Sequence, residues 1–80
     1  MRYKLYKEVV LLNDIPEKYL KKGDVATIVD YHPLPNTEDG YSLEVFNAIG
    51  DSIAVVTVPE SGIEELKETE VFSIRAMEEI

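Results

Sequence analysis

His32 is the one histidine of this 80-residue chain, and there is no cysteine. Any side chain with an unperturbed pKa near neutrality must therefore be His32. It stands before Pro33 in a loop-forming stretch, and no G-x-S-x-G step sets a serine beside it. Ser42, Ser52, Ser61 and Ser73 fall in strand or cap positions instead. One histidine without cysteine cannot supply the usual zinc ligands. Asn36, Glu38 and Asp39 with Gly40 offer only a fragment of a calcium loop, which needs a later bidentate glutamate. Glu64, Glu65, Glu68 and Glu70 form the densest acidic cluster. Paired carboxylates do acid–base chemistry when burial splits their pKa values; on a short surface helix they read as a solvated face. There is neither G-x-G-x-x-G nor a P-loop, so nothing supports nucleotide binding. The expectation is a non-enzyme with no catalytic residue, no metal and no cofactor.

Contact chemistry is better represented. Tyr3, Tyr6, Tyr19, Tyr31 and Tyr41 are five of the seven aromatic residues. Tyrosine gives contact area at low entropic cost and is enriched at interfaces. Tyr31 and Tyr41 flank the long loop that begins at His32, and Tyr19 lies in the first loop. Tyr19, Tyr31, His32 and Tyr41 are therefore the candidate binding residues, with core packing as the alternative for the tyrosines. A proline-peptide groove is not expected, because tryptophan and an A-L-Y-D-Y pattern are both missing.

The elements that must position these residues are short. Lys7–Leu12 is a β-branched apolar run ended by Asn13-Asp14-Ile15-Pro16. Pro16 suits the first position of a helical turn through residues 17–20, and Gly23 closes that loop. Val25–Tyr31 is a second strand whose apolar residues do not alternate cleanly, as in a strand that bends from one sheet to another. Pro33 and Pro35 cannot donate to a ladder, so residues 32–40 form a long loop. Tyr41–Phe46 and Ser52–Val58 follow, joined by a turn with Gly50 available for positive φ. Ser52–Val58 is the most apolar segment and is expected at the centre. Ser61 and Glu64 match a capping box for a short helix reaching Glu68. Glu70–Ala76 alternates and reads as the last strand, with residues 77–80 a frayed end.

Five short strands with a helical turn before the last predict a mainly β chain: a small five-stranded antiparallel SH3-like barrel over residues 1–80, its core at about 7–76. An OB-type barrel is the second choice; it wants a longer helix where only residues 47–51 are available. At 9.1 kDa one small core is expected, with roughly 63% of the unfolded surface buried.

Net charge is −8, from 16 acidic and 8 basic residues. Residues 1–22 carry +3 and residues 23–80 carry −11. Such a body repels phosphate backbones and anionic membranes and speeds encounter with a basic protein. No apolar run is long enough to span a bilayer and the basic start lacks a signal-like apolar centre, so a cytoplasmic location is expected. Self-association through the basic arm, residues 1–7, stays open.

Asp14-Ile15-Pro16, Leu20–Val29, Tyr41–Phe46 and Ala54–Val58 together resemble a family of small bacterial proteins, frequent in cyanobacteria and defined as a domain of unknown function. The likeness spans about residues 5–66. Members share a D-[IVL]-P step, a G-x-V-G-T-[IV]-V strand and a Y-x-V-E-F strand. Here Ala26 replaces the usual second glycine, and the loop 32–40 is long. The resemblance implies an SH3-like fold and a gene neighbour that is another small protein, as in toxin–antitoxin or immunity pairs. It transfers no site residue. Gly23-Asp24-Val25 is also similar to a KOW-type turn. The sequence thus reads as a non-catalytic protein-binding module with an acidic surface, the neutralising member of a two-protein pair. The alternatives are a docking subunit of a larger enzyme or redox complex, and a KOW-like nucleic-acid binder, which the charge opposes.

Overall fold

In the computed structural model the fold is described for residues 2–72 and 74–77. Five antiparallel strands form one sheet: β1 (Glu8–Leu11), β2 (Val25–His32), β3 (Gly40–Phe46), β4 (Ser52–Pro59) and β5 (Ile63–Glu65). Their order is β4-β3-β2-β1-β5. The mainly β expectation holds, and the strand pairs are all antiparallel.

The order has a geometric consequence. In a flat sheet β4 and β5 would lie roughly 19 Å apart, four strand spacings. The chain from Pro59 to Ile63 spans at most about 14 Å. The sheet therefore coils until its two edges approach at that corner, where a three-residue 3-10 turn, Glu60–Gly62, joins them. No ladder links β4 to β5 among the described residues. The coiling has a visible source in β2. Its register with β3 shifts between Ile28 and Asp30, leaving Val29 as the extra residue. A bulge bends a strand and increases its twist. Before it β2 pairs with β1, and after it with β3 alone. The irregular alternation of this strand is that bend.

The inner face is built from alternate residues. Ala26 and Ile28 of β2, Tyr41, Leu43 and Val45 of β3, and Val9 and Leu11 of β1 are buried, joined by Val58 and Ile63. Leu20 enters this core from the first loop. Pro16 starts a 3-10 turn, Pro16–Lys18, and Ile15 and Leu20 exchange backbone hydrogen bonds of 2.9 and 3.1 Å across it. Gly23, at φ 95°, then reverses the chain, as the loop-closing glycine must. In the β3–β4 hairpin Gly50 takes φ 89°, while Asn47 Oδ1 accepts from the amides of Ile49 and Asp51.

Three expectations are corrected. The last strand is Ile63–Glu65, not Glu70–Ala76, of which Ser73 lies outside the described residues. Ile63, Glu64 and Glu65 pair with Leu11, Val10 and Val9, and three residues are too few to show an alternation. The Ser61–Glu64 capping box does not form; the Ser61 hydroxyl donates to Glu38 Oε1 at 2.7 Å, and Glu64 is already in the strand. And β4 is an edge strand rather than the centre. The sheet needs its inner face, Ala54, Val56 and Val58, but leaves Ile53 and Val55 exposed. Residues 78–80, part of the expected frayed end, lie outside the described residues.

The N-terminal arm docks on its own sheet. Tyr6 N–H donates to Ile28 O at 2.7 Å, and Ile28 N–H donates to Lys7 O at 3.0 Å. The Arg2 and Tyr3 amides both donate to the Tyr41 hydroxyl at 3.1 Å.

Candidate functional site

Three of the four candidate residues meet at one end of the sheet. Tyr31 and His32 close β2 and Tyr41 opens β3, so the long loop returns the chain to its starting edge. Tyr31 and Tyr41 pair directly across the ladder, with ring centroids 5.3 Å apart. Tyr3 adds an edge-on contact to Tyr41 at 5.7 Å. Tyr41 is 0% exposed, so it belongs to the core and offers no surface to a partner. Tyr19 sits at the other end. Its carbonyl accepts from Arg75, which also holds Asp24, the residue before β2. The length of β2 separates it from Tyr31, and the four do not line one groove.

The tyrosine hydroxyls carry a polar network. Tyr41 donates to Glu60 Oε2 at 2.9 Å while accepting the two arm amides. Burial raises its pKa, with the Glu60 carboxylate adding to the rise. Tyr31 donates to Asp39 Oδ2 at 2.5 Å, and that hydrogen bond pushes its pKa up to about 12. The same bond, with the Leu34 amide at 3.3 Å, holds the Asp39 carboxyl below its ordinary value.

His32 Nε2 shares a hydrogen bond with Ser42 Oγ at 2.7 Å, and Ser42 Oγ meets Thr57 Oγ1 at 3.1 Å. Asp30 Oδ2 is 3.9 Å away. Serine and carboxylate converge on the same ring nitrogen. A nucleophile relay needs the carboxylate on the opposite nitrogen, so this trio has the residues of a triad without its orientation. Among the described residues no three His, Cys, Asp or Glu side chains group as metal ligands. In the fragment Asn36–Gly40 the Asp39 carboxylate accepts from Tyr31 and Leu34.

At the opposite end a groove of about 590 Å³ opens between the hairpin, the start of β2 and residues 66–77. Val10, Val25, Phe46, Ile53 and Phe72 line it together with Arg75. Arg75 ties the C-terminal segment down, with Nε to Asp24 Oδ1 at 2.8 Å and Nη2 to Asp24 Oδ2. Partial burial opposes ionisation of Asp24, but Arg75 and the Lys21 amide outweigh it and its pKa is lowered. This places Asp24 of the KOW-like turn in an internal ion pair.

The feature that residue-by-residue inspection missed is the outer side of β3 and β4. From Gly23 to Leu66 there is no Lys or Arg, whereas Asp24, Asp30, Glu38, Asp39, Glu44, Asp51, Glu60, Glu64 and Glu65 all lie there. Strands β2 and β3 thus carry acid with no Lys or Arg, and β4 carries no charge at all. On this background Phe46, Ile49, Ile53 and Val55 are exposed, Ile49 by 83% and Val55 by 54%. The absence of base from 23–66 was readable; the exposure of Ile53 and Val55 was not, because it depends on which strand takes the edge.

The fold and this surface define a small mainly β protein with an open-edged antiparallel sheet. Residues 5–65 match the model of a domain of unknown function, DUF4926, and the chain belongs to that family. The match ends with β5 and leaves out the Arg75-tethered segment. No curated protein and no solved structure matches the chain. Among the described residues no helix is long and apolar enough to cross a membrane.

Proposed function

We propose that this chain is a non-catalytic protein-binding module for a basic protein partner, the neutralising member of a two-protein pair. The supporting observation is the 23–66 stretch, nine acids without a Lys or Arg, wrapped over a sheet whose apolar edge is unpaired among the described residues. Such a surface steers a cationic partner from a distance and supplies apolar contact area on arrival. Affinity purification from the native host at low salt, repeated at high salt, tests it. A basic protein retained at low salt and weakened by salt is the expected result; no retained protein at either salt overturns it.

A second reading, docking in a larger complex, is favoured by Val71, Phe72 and Ile74. They are exposed, Ile74 by 96%, and stand outside the family match. Co-migration with a large assembly, lost on removing residues 70–80, would support it. Nucleic-acid binding through Lys18, Lys21 and Lys22 has those exposed lysines in its favour and the acidic body against it.

A further inference from the structure

We propose that the free edge of β4 is where the partner binds, by accepting an extended, lysine- or arginine-bearing segment as a sixth strand. This deepens the protein-binding function proposed for the same sheet and rests on it. Strand β4 pairs with β3 from Ser52–Phe46 to Pro59–Gly40, with Ile53 as the one extra residue, and among the described residues has no neighbour on its other side. At eight residues it is the equal of β2 in length and carries no charged side chain. Proteins usually blunt such an edge with short strands, lysines, bulges or a covering loop, because its unpaired amides and carbonyls recruit another strand. A bulge at Ile53 and Pro59 at the far end blunt this one, and the regular stretch Ala54–Val58 between them stays open. Ile53 and Val55 project as exposed apolar contacts beside it.

Charge selects the occupant. The strand is framed by Asp51 before it, Glu60 after it and Glu44 paired with Val55 on β3. No base stands among them. An incoming strand with Lys or Arg flanking its apolar residues meets a carboxylate at both ends. A second copy meets the reverse. The antiparallel register that matches all of β4 with its copy sets Asp51 of each strand opposite Glu60 of the other. Like charges placed opposite destabilise a strand pair.

The test uses the full chain and two capped peptides of about eight residues, the length of β4. One alternates Lys with Val and Thr; the other has Glu in place of Lys. Amide hydrogen exchange is read residue by residue with each peptide in excess. The basic peptide should slow exchange across Ile53–Val58 by roughly tenfold or more, and added salt should erase the effect. The Glu peptide should not. Ile53→Lys/Val55→Lys, at exposed positions, should abolish the protection while leaving the melting temperature of the free chain in place. No protection of β4, equal protection by both peptides, or protection confined to residues 66–77 overturns the assignment. So does a concentration-dependent dimer whose interface protects β4. Purification from the host with the wild type and the double variant separates the two levels. If both retain the same partner, the binding edge is elsewhere and the protein-binding function stands. If neither retains protein, that function fails as well.

Discussion

The Tyr31 hydroxyl donates to Asp39 Oδ2 at 2.5 Å, fastening the end of β2 to the residue before β3. The loop 33–39 contains two prolines and cannot hold itself by a ladder. Asp39 does that work by taking Tyr31 and the Leu34 amide on its two carboxylate oxygens, while its own carbonyl accepts from Glu60 N–H at 2.8 Å. One side chain thereby couples the long loop to the β4–β5 corner.

Replacing Tyr31 by Phe should leave the sheet intact and loosen this loop. The Leu34 amide should exchange faster, with little change at Leu43 in the core. Unaltered exchange at Leu34 would mean that the hydroxyl contact does not order the loop.

Titration should show the same bond from both sides. Tyr31 has a raised pKa, so its contribution is whole below about pH 10, the ordinary tyrosine value, and is lost as pH rises through about 12. Asp39 is lowered, so its contribution is present above the ordinary carboxylate range and is lost as pH falls through its depressed value. Tyrosinate absorbance of the folded chain should contain a late component from Tyr31 and Tyr41, both raised, and Tyr31→Phe should shrink it to the part that belongs to Tyr41. A late component of unchanged size in the variant would overturn the Tyr31 assignment.

Tyr41→Phe removes one hydroxyl and strands three partners, the Arg2 and Tyr3 amides and the Glu60 carboxylate. Leaving partly buried groups unpaired costs about 1–3 kcal/mol. The urea midpoint should fall accordingly, and the amides of the N-terminal arm should lose protection. A shift in midpoint with an undisturbed arm would show that the arm is held by the Tyr6–Ile28 contacts alone.

Arg75→Ala should release residues 66–77 and cost about 1–3 kcal/mol, because the half-buried Asp24 carboxylate loses its charged partner. Trypsin should then cut at Lys67 faster, and the melting temperature should fall modestly. By contrast Leu43→Ala, at a fully buried site, should cost about 2–5 kcal/mol. In a domain this small that is a large share of the total.

Much of the fold was legible because strands of four to eight residues with turn residues between them announce themselves. Lys7–Leu12, Val25–Tyr31, Tyr41–Phe46 and Ser52–Val58 all coincide with strands to within a residue or so. Gly23 and Gly50 both take the positive φ that loop closure and a tight hairpin require. The site was less legible. Tyr31, His32 and Tyr41 do come together, since a loop between paired strands must return its ends to one place. Tyr19 does not, because the first loop opens at the far end of β2.

Composition and local pattern determined the class of this protein: a mainly β chain with an acidic body, a basic arm and no cysteine. These depend on each residue and its near neighbours. Three things only the tertiary structure decided. One is that Ile63–Glu65 rather than Glu70–Ala76 completes the sheet, since three residues become a strand when β1 offers its open side. Another is that Tyr41 is core, since Tyr3 of the arm and Tyr31 of β2 pack against it. The last is that the most apolar strand, β4, stands at the edge. An apolar run looks the same from sequence whether one neighbour or two will pair with it. Strand order is a long-range property, and with the β3–β4 register it leaves Ile53 and Val55 exposed on a strand that has one neighbour among the described residues.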